Sequence, residues 1–204
     1  MHYTFPEIRT INDVLPHIEG REEFIVAERE FGTVINYAVA MTDTFDIYPA
    51  GYGGRLSTYD PGGAMRRECR GLIFDTEGKI MSRPFHKFFN VNEREETQTS
   101  DIDMSQPHVI MEKMDGSMIR PILVNGQLRL ATKMGVTDVA MQAEAFMAKN
   151  TKYKDFCVWC VSKGLTPIFE WTSPFNQIVL PYEEDMLTLL AVRENVTGHY
   201  LNIK

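Results

Sequence analysis

The sequence predicts an α+β domain of mostly antiparallel strands with flanking helices. Three observations lead there. Short alternating or β-branched runs fill both the first and the last parts of the chain. One stretch of helical period, residues 137–164, lies between them. The punctuation between runs is hairpin-sized, clearest at Asn125-Gly126. With 204 residues, 44% hydrophobic and 24% charged, the chain can bury one ordinary core.

In chain order, "NDVLPHIEGREEF" reads as a short helix capped by Asn12 and stopped at Gly20. "FIVAEREFGTVINYAVA" alternates and is rich in β-branched residues, with Gly32 as a turn or bulge. The glycine-rich residues 50–63 read as a loop, and not a phosphate loop, since no Gly-Lys-Ser/Thr follows. "CRGLIFDTEGKIMSRPFHKFF" contains a hairpin: strand Leu72–Phe74, turn Asp75–Gly78, strand Lys79–Ser82. "NEREETQTSDIDMSQP" is a polar surface connection, and "HVIMEK", "MIRPILV" and "LRLATK" read as strands. Then come a helix over "TDVAMQAEAFMAKN", capped near Thr137 or Asp138, and a second over "YKDFCVWCVSKG", ending at Gly164. Strands return in "PIFEW", "QIVLP" and "MLTLLAVRE". No repeat or clear domain boundary divides the chain.

Composition excludes several classes. No basic start followed by an apolar stretch opens the chain, and no apolar run approaches the roughly 20 residues that span a bilayer. Three cysteines, an odd number, argue against a disulfide framework and for a reducing compartment, so a cytoplasmic protein without membrane association is expected. Cys157-Val-Trp-Cys160 has CxxC spacing, but it sits mid-helix with no second pair and reads as buried apolar residues. The five histidines show no paired spacing, and Asn195-Val196-Thr197 is a glycosylation sequon by pattern only.

A net charge of −7 argues against nucleic acid as a partner, but the distribution says more. Between Arg66 and Arg94 stand seven basic residues (Arg66, Arg67, Arg70, Lys79, Arg83, Lys87, Arg94) against four acids. That window is either a solvated face or an anion site. Beyond it, "HVIMEKMDGSMIRPIL" sets Lys113 between apolar runs, with Asp115-Gly116 just after it. Lys-x-Asp-Gly arises by chance in about one such chain in twenty. Lys113 is thus a surface lysine beside an ordinary turn, or a nucleophile. A nucleophilic lysine must be deprotonated, which partial burial at a strand end or cationic neighbours would favour. Gly116 would then let backbone approach a bulky ligand.

Glu112-Lys113-Met114-Asp115-Gly116 resembles motif I of the covalent nucleotidyltransferases, the superfamily of ATP-dependent ligases and mRNA capping enzymes. More specifically, "ECRGLIF", "SRPFHKFFNVNE", "KMDGS", "FEWTSPFNQIVLPY" and "LLAVRENVTGHY" are similar, in order and spacing, to the bacteriophage tRNA-repair RNA ligases. The likeness covers most of residues 66–204 and implies the nucleotidyltransferase (ligase adenylation domain) fold. It implies that Lys113 is the adenylated nucleophile, that Arg70 and Lys87 work at the nucleotide and its phosphates, and that Glu112, Asp115 and Gly116 belong to the same pocket. Glu170 matches the motif III acid, at the nucleotide sugar or a metal, with a structural ion pair as its other reading. Phe89 and Lys133 match further family positions; core packing and a solvated strand end are their plain alternatives. For Arg70 the alternative is an ion pair with Glu68 or Glu77.

The family's activity is ATP-dependent RNA ligation with Mg²⁺. The lysine is adenylated, AMP passes to an RNA 5′-phosphate, and a 3′-hydroxyl seals the break. Broken tRNA or single-stranded ends are the implied substrates, and a polynucleotide kinase/phosphatase acting upstream an implied partner. The sequence departs from the family in one respect. The downstream Glu-Gly pair and Lys-x-Lys do not follow "FEW", and Lys152-Tyr153-Lys154 precedes it. The chain is therefore expected to be a single adenylation domain over residues 1–204, lacking the motif IV and V segment and any C-terminal domain. Two other readings stay open: a non-catalytic nucleotide- or RNA-binding module, and a capping-type guanylyltransferase using GTP.

Overall fold

A computed structural model describes residues 3–48 and 59–202. The expected loop at residues 50–58 lies outside these; at its end, Asp60 caps a helix instead. Two four-stranded antiparallel sheets make up the fold, as the alternating runs predicted. The first runs β1 (Phe24–Arg29), β2 (Gly32–Tyr37), β3 (Arg70–Phe74), β4 (Ile80–Ser82), in that spatial order. Helix α1 (Pro61–Glu68) leads into β3, its Asp60 carboxylate accepting from the Gly62 and Gly63 amides. The second sheet comprises β5 (Ser117–Val124), β6 (Gln127–Ala131), β7 (Leu165–Thr172) and β8 (Met186–Glu194), in the order β6-β5-β7-β8. Between β6 and β7 come α2 (Asp138–Lys149), capped by Thr137, and α3 (Thr151–Ser162).

Alternation along the strands builds three apolar layers. Ile119, Phe169, Trp171 and Leu187 pack one face of the second sheet against Ala140, Ala143, Met147 and Cys157 of the helices. Ile35, Leu72 and Phe74 pack the outer face of the first sheet against Ile8, Val14, Ile18 and Met65. Between the sheets, Val34 and Ile73 meet Ile122 and Ala131. Cys157 and Cys160 are buried free thiols, in line with the apolar reading of the CxxC. No helix among the described residues is long and apolar enough to cross a membrane.

Three expectations fail. The first helix is instead two single 3₁₀ turns, Ile11–Asp13 and Leu15–His17. Thr10, rather than Asn12, occupies the first cap, with Asp13 Oδ2 accepting the Arg9 and Thr10 amides. Pro16, in the second turn, has no N–H for a continuous helix. "HVIMEK" and "QIVLP" form no strand: Val109, Ile110, Val179 and Leu180 are exposed, and β5 begins only at Ser117, opposite Trp171.

Candidate functional site

Arg70 opens β3, and a bulge decides which way it points. The β2–β3 register pairs Ile35 with Leu72 but Asn36 with Arg70, leaving Gly71 as the extra residue at φ +97°. Simple alternation would put Arg70 beside Leu72 on the outer face. The bulge turns it to the inner face, toward the second sheet. Only glycine fits there: a Cβ on residue 71 would lie 2.8 Å from the Lys133 carbonyl oxygen and 3.0 Å from its Cα.

Glu170, on β7, faces the same cleft, and its Oε1 accepts from the Gly116 amide at 3.0 Å. Burial lifts its carboxyl above the usual range, while the Gly116 bond and the charges of Lys113 and Arg70 pull the other way. Lys113, Arg70 and Glu170 therefore share one electrostatic neighbourhood, though they come from three separate segments. Lys113 itself does not sit at a buried strand end. It is exposed, as is Glu112, in a segment outside any helix or strand.

The Asp115-Gly116 pair has a structural task beyond a turn. Asp115 Oδ2 accepts the amides of Val179 and Leu180 at 2.6 and 2.7 Å, and the Asp115 amide donates to Tyr182 Oη at 2.9 Å. These two backbone bonds hold the Asp115 carboxyl below its ordinary range. Asn176 Nδ2 donates to Ser117 Oγ at 3.0 Å, so the 173–182 loop is laced to the Lys113–Ser117 segment at two points. Gly116 lies tight against Trp171: a Cβ there would lie 2.2 Å from the Trp171 carbonyl oxygen.

In the basic window, five of the seven cations are paired with carboxylates. Arg66 pairs with Asp60, Arg67 with Glu96, Lys79 with Glu77, Arg83 with Glu68 and Arg94 with Asp46. Among the described residues, Arg70 and Lys87 have no such partner, so Arg70 pairs with neither Glu68 nor Glu77. Arg70 Nη1 is buried with no hydrogen-bond partner, and its Cζ stands 5.1 Å from the Phe88 ring centre. A buried donor without an acceptor costs about 1–3 kcal/mol, which makes it a candidate grip for an oxyanion.

Lys87 Nζ, Arg94 Cζ and Arg67 Cζ lie 4.7, 4.8 and 5.0 Å from the centre of the Phe89 ring, which also packs on buried Phe45. Phe88 is exposed, so Phe89 is the better packed of the two. Lys133 is exposed just after β6, its Nζ 6.0 Å from the Tyr37 ring. Sequence reasoning overlooked Asn36, whose buried Oδ1 has no partner and whose strand position faces Arg70. It also overlooked Thr188, opposite Glu170, with an unpartnered buried hydroxyl. Nothing in their local sequence marks either. A recess of about 410 Å³ near Glu30, Asp75 and Asn125 lies at the far ends of β3 and β5, away from this cleft.

Among the described residues no three of His, Cys, Asp and Glu converge as a metal site. Glu170 could hold Mg²⁺ only in the mode where one carboxylate shares the ion with substrate phosphates. The residues fit that mode: Asp115 stands near enough to act on the Glu170 charge, and the cations and orphaned donor beside it suit the phosphates that would share the ion.

A family model described as RNA ligase matches residues 68–204. Over 194 residues the chain is 35% identical to a protein of Thermovibrio ammonificans named "Putative RNA ligase", covering 94% of this chain and 47% of that one. It is 32% identical over 182 residues to RNA ligase 1 of bacteriophage TS2126, covering 78% and 44%. It is 31% identical over 153 residues to the "Putative bifunctional polynucleotide kinase/RNA ligase" of Autographa californica nuclear polyhedrosis virus, covering 65% and 22%. The chain spans about half or less of the length of these relatives.

Proposed function

The chain belongs to the RNA ligase family of phage type, and we propose that its residues carry the ATP-dependent adenylation step of RNA sealing. The observation that carries this reading is the pairing pattern in the cleft. Arg70 and Lys87 are left without carboxylates, Arg70 has an orphaned buried donor, and Lys113 and Arg70 both act on Glu170.

In the first step the neutral Lys113 amine forms an N–P bond to the α-phosphorus of ATP. The bond from that phosphorus to the bridging oxygen breaks, and pyrophosphate leaves with the electron pair. The ammonium proton is lost to solvent before attack and the second after it. Arg70, Lys87 and Lys133 stabilise charge on the phosphates. Glu170 would contact the nucleotide sugar or hold Mg²⁺, which when bound would supply neutralisation of phosphoryl charge. AMP then passes to an RNA 5′-phosphate, and a 3′-hydroxyl displaces it. Broken tRNA or single-stranded ends are the substrates we infer, with end-healing by a polynucleotide kinase/phosphatase upstream, all within a cytoplasm.

The exposure of Lys113 favours a second reading, in which these residues bind nucleotide without reacting. Intact-mass spectrometry after incubation with ATP and Mg²⁺ decides between them, with GTP and Lys113→Ala as controls. One AMP on the parent protein, absent from the variant, is expected. An adduct from GTP alone would mean a capping-type enzyme. No adduct together with measurable ATP binding would favour the binding module.

A further inference from the structure

Arg120, in β5, is wholly buried, and among the described residues no carboxylate accompanies it. Its Nε donates to Ser82 Oγ at 2.9 Å, its Nη1 to the Thr132 carbonyl at 3.1 Å, and its Nη2 to the Gly71 carbonyl. One guanidinium thus joins β4, the bulge in β3 and the turn after β6 across the seam between the sheets. Each of the two carbonyls belongs to the neighbour of a candidate site residue: Gly71 follows Arg70, and Thr132 precedes Lys133.

A buried cation without a counter-ion is an expensive way to fill space. An apolar side chain of similar volume would serve stability as well or better. What the guanidinium supplies is geometry, a planar fork that fixes two acceptors relative to each other. The bulge that turns Arg70 inward and the turn that presents Lys133 touch directly at Gly71, and the fork bonds the peptide on each side of that contact.

We propose that Arg120 is a positioning residue for nucleotide binding, setting the separation and aim of Arg70 and Lys133 toward the phosphates. The proposal rests on the reading of this cleft as the ATP site. Arg120 touches no substrate and acts through its two carbonyl partners. Lysine keeps a single donor group at the site but cannot fork to both of them, whereas methionine keeps bulk alone.

The test is equilibrium titration with ATP and Mg²⁺, with Lys113→Ala in every sample so that no chemistry intervenes. Arg120→Lys and Arg120→Met are measured with and without Lys133→Ala, and each protein's melting temperature is recorded. The expected result is ATP binding weakened on the order of tenfold by Arg120→Lys while melting changes little. In the Lys133→Ala background the same substitution should cost less, because one of the two residues it positions is gone and no separation remains to be set. Equal losses in both backgrounds, or no loss from Arg120→Lys, would overturn the proposal, as binding would not pass through Lys133. If Arg120→Met fails to fold, the lysine variant still decides. Failure of the Lys113→Ala parent to bind ATP is a different result, which sinks the reading of the cleft and the Arg120 proposal with it.

Discussion

Replacing Glu68 by glutamine removes one negative charge from a site where solvent cannot compensate. Glu68, at the end of α1, is ion-paired at 3.1 Å to Arg83 Nε and at 2.8 Å to Arg193, and all three side chains are 0% exposed. Arg83 also donates to the carbonyls of Pro6, Asn195 and Val196, and Arg193 to those of Pro84 and Gly198. The carboxylate therefore holds two cations that have bonded the rest of their donors to backbone and cannot turn toward water. Removing one partner of a buried pair typically costs about 3–5 kcal/mol, and with two cations stranded the upper part of that range is expected. For a chain of this size each kcal/mol lowers Tm by about 2–4 °C, so a loss of about 4–5 kcal/mol should make Glu68→Gln melt roughly 8–20 °C lower. Urea unfolding at constant slope measures the loss directly.

The pH profile supplies an independent arm. Burial raises the Glu68 pKa, but Arg193 and Arg83 together outweigh it, and the net shift is downward. A carboxylate depressed in the folded state gives stability that is present above its unfolded pKa and lost as pH falls through the folded value. The parent should therefore lose stability below about pH 4.5 along a limb that the variant lacks. A loss under about 1 kcal/mol, or an acid limb unchanged in Glu68→Gln, would refute the reasoning.

Two further outcomes are expected. Burial pushes His86 down to about 4, its Nδ1 lies 2.9 Å from Tyr200 Oη, and its ring stacks on Tyr3. The unfolded chain takes up the proton first, so stability should fall by at most about 3 kcal/mol from pH 6.5 to pH 4, and His86→Phe should flatten that interval in urea titrations at stepped pH. Gly116→Ala, with its Cβ 2.2 Å from the Trp171 carbonyl oxygen, should strain the Ser117–Trp171 pairing by about 1–3 kcal/mol and reduce AMP-adduct formation; a variant as stable and reactive as the parent would show that the strands part freely there.

What the sequence revealed depended on how local the cause was. The β5–β6 hairpin was legible because Asn125 and Gly126 must both adopt positive φ, here 51° and 75°, and those residue types do so readily. Helices α2 and α3 were legible from period and cap. "QIVLP" misled because a short apolar, β-branched run looks like a strand, yet Asp115 takes the amides of Val179 and Leu180 that a ladder would need. Arg83 counted as one cation of a basic window, and only the distant Arg193 and Glu68 reveal it as buried structure. The inward aim of Arg70 was hidden for a similar reason. A bulge at Gly71 shifts the face by one residue, and the partner strand rather than the neighbouring letters fixes where it falls.

The Glu68 cluster also sets a timetable for synthesis. Glu68 and Arg193 are 125 residues apart in the chain. At about 5–20 residues per second, the carboxylate emerges roughly 6–25 s before that arginine. Arg83 follows Glu68 closely, so a neutral pair forms first, while the carbonyls of Asn195 and Val196 that will hold Arg83 have not yet been made. The first sheet can gather its apolar face early, but it cannot lock its ionic centre until β8 has been delivered. During that interval the nascent chain presents an unfinished polar interior. Slowing translation between β4 and β8 should lengthen its dependence on holding chaperones, whereas slowing it before β3 should not.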